Sequence, residues 1–538
     1  MRRLRPVLVA ALSGLLLAVA FPKADLGFLA WAALAPLLVI IRGRSIGAAA
    51  ALGWVTGFSF FSSILYWIPD TVSNFTTIAP SVATGLWFLM AAACAYSFAV
   101  FAAVVEWLAA RGIARTVAAP AVWVVLEWAR TFVIAGFPWA SLGYSQMEYP
   151  VLVQAADLGG VYLISAFLIL ANAAMAEMVV AREAQKGGGS DASLHVAGAA
   201  PSKHSRRFAL LFVALPLVLA LYGSLALRSV EQAPVLGSVR VGVVQGNVAQ
   251  DQKWDPALRE KILDRYLSLS EDVASMGAEL VLWPEAAVPF YLGLDARAQK
   301  LARFAVSRDV WLLTGSPGVR REDEVTRPYN QAWLVGPDGH WREPYDKIQL
   351  VPFGEYIPLG GLFGRVRIAA EAVGQFGRGT EHKVFEGPAI LATAGGAAAL
   401  GRPARFAPLI CYEGIFPALT RRFAAAGADF LVNISNDAWY GDTSAPHQHL
   451  AMIMLRAVEN RIPLVRATNT GISGFVSADG SVRATTALFE EDIAVQTLLL
   501  RDIFSFYRRF GDVFVALCGL LVLALFAVAS RRGPISAR

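Results

Sequence analysis

Three side chains of complementary chemistry sit at the ends of short apolar runs in the second half of the chain. Cys411 closes Ala407-Pro-Leu-Ile-Cys411, Glu285 closes Glu279-Leu-Val-Leu-Trp-Pro-Glu285, and Lys347 follows Trp341-Arg-Glu-Pro-Tyr-Asp-Lys347. A thiol reacts as thiolate, so a nucleophilic cysteine requires a base or a cation beside it. A carboxylate and an ammonium supply those two roles, with the ammonium also facing a developing oxyanion. Ends of strands are where open α/β sheets carry their sites. Pro284 breaks the strand before Glu285 and turns that carboxylate out of the sheet. Each residue also has a plainer reading: a small buried hydrophobe for Cys411, a surface carboxylate for Glu285, a solvated lysine for Lys347. Spacing alone does not choose between these readings.

The elements that must hold such residues divide the chain. Of its 538 residues 56% are hydrophobic and only 16% charged, and mean hydropathy is +0.51, a balance that points to a bilayer rather than to water alone. Apolar runs occur at about 7–21, 26–41, 47–68, 82–109, 115–134, 159–181, 208–227 and 511–530. They predict eight transmembrane helices, seven in residues 1–227 and one in 509–538. The second run carries Pro36, and Pro22 precedes it, so tilted or re-entrant packing is expected there. Lys and Arg gather in alternate loops: Arg2, Arg3 and Arg5, then Arg42 and Arg44, Arg111 and Arg115, Arg182 to Arg207, and Arg531 onward. No Lys or Arg falls in 69–81 or 135–158. This alternation predicts both termini in the cytoplasm and residues 228–508 on the opposite face. The first run also has the outline of a signal peptide, but Phe21-Pro22-Lys23 is a poor cleavage context, and a retained helix is expected.

Residues 228–508 read differently. Strand-like runs at Val239–Val244, Glu279–Trp283, Val310–Thr314, Ala407–Cys411, Phe430–Ile434 and Leu464–Ala467 alternate with helical periodicity at Trp254–Ala274 and Pro446–Asn460. This is the logic of one sizeable α/β domain. The net charge of +6 is scattered through short loops with no basic and aromatic interleaving, so no nucleic-acid partner is expected. Cys94, Cys411 and Cys518 form no disulfide framework, and no Cys/His spacing resembles a metal site. His447 and His449 are read as structural or supporting residues rather than ligands.

Longer motifs surround the three reactive residues. Trp283-Pro-Glu-Ala-Ala-Val-Pro289, Tyr345-Asp-Lys-Ile-Gln-Leu-Val-Pro-Phe-Gly-Glu-Tyr-Ile-Pro358 and Leu409-Ile-Cys-Tyr-Glu-Gly-Ile-Phe-Pro417 resemble the nitrilase (carbon–nitrogen hydrolase) superfamily, which uses a Glu–Lys–Cys triad in that chain order. Asn433-Ile-Ser-Asn-Asp-Ala-Trp439 and Arg466-Ala-Thr-Asn-Thr-Gly471 look similar to the same superfamily. Joined to seven helices before and one after, the chain as a whole resembles the apolipoprotein N-acyltransferase family.

That resemblance implies an α-β-β-α sandwich for residues 228–508 on a bacterial inner-membrane helical bundle, facing the periplasm. It implies transfer of an acyl chain from a phospholipid donor to the amine of a diacylglyceryl-cysteine apolipoprotein acceptor, without cofactor or metal. Glu285 resembles the general base, Cys411 the nucleophile and Lys347 the cation beside the oxyanion. Glu355, Tyr412 and Glu413 match further residues important for activity, and Trp254 resembles a tryptophan near the lipid entrance. Val351 to Val366 is apolar and broken by Pro and Gly, and is expected to be either a lid touching the membrane or a loop packed on the core. Two other functions compete. A membrane-anchored amidase or nitrilase-type hydrolase would resolve the thioester with water, and a transporter would use Glu106, Glu127 and Arg130 as an ion path.

Overall fold

The structure is a computed structural model that describes residues 4–133, 136–187, 203–322, 325–356, 375–391 and 402–532. The chain folds as two compact units. One comprises Met1–Pro69, Ile78–Leu227 and Phe510–Arg538, the other Asp70–Thr77 and Arg228–Arg509.

The first unit is helical. Among the described residues five helices are long and apolar enough to cross a membrane: Ile46–Ile64, Pro80–Ala109, Ala156–Gln185, Ser205–Gln232 and Val513–Ser530. Arg5–Ala18 and Arg115–Ala129 are shorter helices in the same unit. Leu210, Leu221 and Leu523 lie 65–70% exposed, so these helices present apolar faces that water would not tolerate in such number. The apolar run at 26–41 is not one helix. It forms a 3₁₀ turn, Gly27–Trp31, and a six-residue helix, Ala35–Ile40, with Pro36 in its first turn. Pro36 has no N–H to donate and suits the first turn of a new helix better than the interior of a long one.

A buried asparagine repairs that break. Asn172 Oδ1 accepts the N–H groups of Leu34 (2.7 Å) and Ala35 (2.9 Å), while Nδ2 donates to the carbonyls of Ala30 and Leu168, both at 2.8 Å. The amide thus ties the break to the long helix with three bonds, the fourth staying within its own helix, where no water competes. The charged residues of this unit are partnered in a similar way. Glu106 accepts from Arg115 (2.5 Å) and from the Gly43 N–H (2.8 Å), and Glu127 accepts the Leu142 N–H at 2.6 Å.

The second unit holds two six-stranded sheets. The first has the order β12-β1-β2-β3-β4-β5, with β1 Val235–Gln245, β2 Leu280–Leu282, β3 Trp311–Glu322, β4 Val325–Val335, β5 Tyr345–Asp346 and β12 Asp492–Arg501. The second has the order β11-β10-β9-β8-β7-β6, with β6 Phe385–Ala389, β7 Pro403–Ile410, β8 Phe430–Ser435, β9 Leu464–Thr468, β10 Gly474–Val476 and β11 Val482–Arg483. Each sheet has a parallel triplet at its centre, β1-β2-β3 and β7-β8-β9, flanked by antiparallel strands. Strands β2, β8 and β9 are buried along their whole length, as strands covered on both faces must be. Helices Arg259–Ser275 and Ala298–Arg308 pack on the first sheet, burying Leu263, Tyr266, Leu301 and Phe304 against Val281 and Leu312. Pro417–Ala425 and Ala445–Asn460 pack on the second. Strand β1 meets β9 and β4 meets β7, so the sheets lie face to face between the helices, an α-β-β-α sandwich.

Replacing Asn172 with Leu removes the amide that serves the short helix and leaves buried N–H and C=O groups without partners. The expected cost is about 1–3 kcal/mol for each group stranded, seen as a lower melting temperature of the detergent-solubilised protein. An unchanged melting temperature would mean that the break at 32–34 finds other partners.

Candidate active site

Chain geometry brings the reactive residues to one end of the two parallel triplets. Glu285 follows β2, Lys347 follows β5 and Cys411 follows β7. Cys411 opens a 3₁₀ turn, Cys411–Ile415, with φ of +52°, a left-handed conformation that costs a non-glycine residue about 1–3 kcal/mol. This sharp corner swings the sulfur off the strand axis. Ala286, next to Glu285, is likewise left-handed with φ of +47°. Behind that corner Gly315 is required by space, since a Cβ there would sit 2.4 Å from the Ala286 nitrogen and 2.7 Å from Glu285 Cα.

The lysine lies between two carboxylates. Lys347 Nζ is 2.9 Å from Glu355 Oε1 and 3.3 Å from Glu285 Oε1, and its side chain is 1% exposed. Asn330, in β4, donates through Nδ2 to the same two oxygens, at 2.7 Å to Glu285 and 3.0 Å to Glu355. The second oxygen of Glu285 accepts the Asn436 N–H at 3.1 Å, just past β8, and so ties the first sheet to the second. The second oxygen of Glu355 accepts the Val351 N–H at 2.8 Å. Burial by itself would lower the Lys347 ammonium, but Glu355 and then Glu285 outweigh it and hold the group above the usual lysine range. Burial, then the Glu285 charge, pushes the Cys411 thiol up to about 12, while Lys347 and a bond from Ser435 pull the other way. Cys411 therefore rests as a thiol.

Glu413 is a clamp. It is fully buried, and Oε1 accepts from the Tyr345 hydroxyl (2.7 Å), the Ile348 N–H (2.7 Å) and the Gln349 N–H (3.0 Å). Its Oε2 accepts the Ile410 N–H at 2.7 Å. One carboxylate thus fastens the segment after Lys347 to the residue before Cys411. Burial raises it to about 7 against the bonds from Ile410, Tyr345 and Gln349 and the charge of Lys347. Tyr412 is buried edge-to-face on Phe416, 5.1 Å between centroids, and Trp254 is half-exposed. Leu362, Phe363 and the rest of 357–366 lie outside the described residues, so only Val351–Tyr356 of the expected lid is described.

Beneath the Cys411 corner runs a buried polar network. Arg466 binds Asp437 (2.6 Å) and Asn433, Asn433 donates to the Cys411 carbonyl (3.2 Å), and Asp437 accepts from Ser435 (2.8 Å). His449 Nδ1 lies 3.2 Å from Asp437 and is fully buried, a supporting position. Burial opposes the Asp437 charge, but Arg466 overrides it and holds that carboxyl well below the usual range. Sequence reading alone misses Asn330 and Lys253, whose Nζ donates to the Glu285 carbonyl at 3.0 Å, and finds Asn436 only as a member of the Asn433–Trp439 motif, with no role attached. A lysine amid the polar Gln250-Asp-Gln-Lys253 gives no signal of burial.

Known proteins bear on both units. The carbon-nitrogen hydrolase family profile matches residues 240–507, and the profile of the apolipoprotein N-acyltransferase N-terminal domain matches residues 13–174. The apolipoprotein N-acyltransferase of Geobacter metallireducens is 37% identical over 533 residues, 99% of this chain and 96% of that protein. Its namesake from Brucella suis is 32% identical over 513 residues, 90% and 88% of the two chains, and that from Vibrio vulnificus 31% over 502 residues, 91% and 90%. The sandwich is thus a carbon–nitrogen hydrolase fold, here carried in one chain with an apolar helical unit. The chain belongs to the apolipoprotein N-acyltransferase family.

Glu413→Gln retains one acceptor oxygen and turns an NH₂ group toward N–H donors. The expected loss is about 1–3 kcal/mol in stability for the donor left unsatisfied, together with slower alkylation of Cys411 by iodoacetamide. Wild-type melting and alkylation would show that the clamp is dispensable.

Proposed function

We propose that this chain acylates lipoproteins, moving an acyl chain from a membrane phospholipid through a Cys411 thioester to the α-amine of an N-terminal diacylglyceryl-cysteine. The observation that carries the reading is a full-length match to the family together with a buried ammonium held between two carboxylates at the cysteine corner. Glu285 takes the Cys411 proton as the sulfur attacks the ester carbonyl at the glycerol sn-1 position. Lys347 and main-chain donors of the turn after Cys411 stabilise the oxyanion. The C–O bond breaks, Glu285 returns the proton to the leaving alkoxide, and lysophospholipid departs. The lipoprotein amine then attacks the thioester, gives a proton to Glu285, and expels the Cys411 thiolate, which recovers that proton. Two half-reactions on one sulfur predict ping-pong kinetics. Glu355 and Glu413 act as positioning residues for Lys347 and Cys411, and Tyr412 and Trp254 line the approach of the acyl chains.

The helical unit fits such substrates. Each buried CH₂ is worth about 0.8 kcal/mol, so acyl chains are best processed without leaving lipid. The reading includes eight crossings of the bacterial inner membrane, a retained first helix, cytoplasmic termini and a periplasmic catalytic domain, in keeping with the distribution of Lys and Arg. Phospholipid and diacylglyceryl lipoprotein are the partners, with no cofactor or metal in the chemistry proposed. The water-resolved amidase is not favoured, since relatives spanning nearly the whole chain carry the transferase name.

Intact-mass analysis after incubation with phospholipid tests the reading. Wild type is expected to gain one acyl mass that a diacylglyceryl-cysteine peptide clears, and Cys411→Ala to gain none. Clearance by water at the same rate would establish the hydrolase instead, and an adduct on Cys411→Ala would remove the proposed nucleophile.

A further inference from the structure

Two lysines are buried among the described residues: Lys347, and Lys253, which is also 1% exposed. A buried ammonium costs several kcal/mol unless negative charge compensates it. Among the described residues the Lys253 side chain makes one hydrogen bond, 3.0 Å to the Glu285 carbonyl, a neutral group. The compensating charge must come from nearby. Burial is the larger influence and draws it down to about 8; the Glu285 carboxylate favours the charged form, and Cys411 does so once it is a thiolate. Local chain geometry aims the side chain inward. The Gln252 and Lys253 N–H groups both bond the Ala249 carbonyl at 3.1 Å, and Asp255 N–H returns to Gln252 at 3.1 Å. In that turn Lys253 is buried while its neighbour Trp254 is half-exposed. The carbonyl gripped is that of Glu285, at the left-handed corner that turns its carboxylate toward Lys347 and Asn436.

We propose that Lys253 is a positioning and charge-balancing residue of the same centre: it clamps the main chain of Glu285 and sets a second positive charge beside the thiolate formed at Cys411. In this role Lys253 serves the base through its backbone and the nucleophile through space, whereas Lys347 serves both through the carboxylates. The proposal rests on the acyl-transfer reading only for naming Glu285 the base; its test uses no acyl donor.

The measurement is the rate of iodoacetamide alkylation of Cys411 in the full-length detergent-solubilised protein at pH 7.5, followed by mass spectrometry of the Cys411 peptide. Lys253→Met is expected to alkylate about tenfold more slowly, the effect of one pKa unit on the thiolate fraction, and Lys253→Arg to recover to within about threefold of wild type. A purely structural lysine would not be rescued by charge alone. Wild-type rates for Lys253→Met, or rates for Lys253→Arg as slow as those of Lys253→Met, would overturn the proposal. Should Lys253→Met fail to fold, Lys253→Arg decides: a rate near wild type supports the second charge, and a tenfold loss in a folded protein rejects it. A protein that alkylates as expected yet gains no acyl mass from phospholipid would sink the proposed function and leave this inference standing.

Discussion

The centre depends on one ammonium shared by two carboxylates. Lys347 is removed from water, and the 2.9 Å and 3.3 Å contacts with Glu355 and Glu285 are what keep it charged there. In a low-dielectric setting such a pair stands or falls together: deleting either carboxylate leaves charge stranded at a cost of about 3–5 kcal/mol. Asn330 reinforces the arrangement by donating to the same two oxygens, so that both carboxylates are spaced by two donors rather than one. With Lys253 protonated, the groups in direct contact carry two positive and two negative charges while Cys411 is a thiol. Moving its proton to Glu285 leaves that balance unchanged. If Glu285 acts as the proposed base, a thiol pushed up to about 12 by burial and by the Glu285 charge is no obstacle to attack, because the proton stays within the cluster.

The rest of the sandwich serves to hold this cluster against its own strain. A left-handed cysteine stays in place only if its surroundings determine it more strongly than its own preference does. Asn433 grips the Cys411 carbonyl from β8, Glu413 grips the Ile410 N–H, and Arg466 fixes Asn433 and Asp437 from β9. These bonds come from three neighbouring strands and the turn itself, so the corner cannot relax without breaking a buried network. Across the interface, Asn436 binds Glu285, and the Asn247 N–H bonds the Asn469 carbonyl at 3.0 Å. Precision in the site follows from sheet register more than from loop structure.

What the sequence reveals, and what it hides, follows from burial. The six strand-like runs legible in the sequence fall in β1, β2, β3, β7, β8 and β9, the two parallel triplets, because strands covered on both faces must be continuously apolar. The antiparallel flanks were not legible. Strand β4 carries Thr326, Arg327, Asn330 and Gln331, which interrupt any apolar run even though Asn330 and Gln331 are buried, and β12 is mostly half-exposed. Likewise, Cys411, Glu285 and Lys347 could be singled out because they follow apolar runs or family motifs. Asn330 and Lys253 act through positions that only the tertiary fold creates, and their local sequences look like ordinary polar segments, while Asn436 stands in a family-like motif that does not reveal its partner. In the helical unit, the second apolar run announced an irregularity through Pro36, but its repair came from Asn172, more than a hundred residues away.

The same burial bears on how a thioester at Cys411 would be resolved. Water and a lipoprotein amine compete for the same carbonyl, and the amine is the stronger nucleophile only once it has lost its proton. A site whose cysteine is 7% exposed and whose Glu285 oxygens are both already bonded offers bulk water little access. It also supplies the carboxylate that can relieve an arriving ammonium of its proton. An acceptor tethered to lipid arrives at high local concentration, whereas water arrives only as fast as the site admits it. On the proposed reading, enclosing the sulfur costs thiolate in the resting state and favours the amine over water in the second half-reaction.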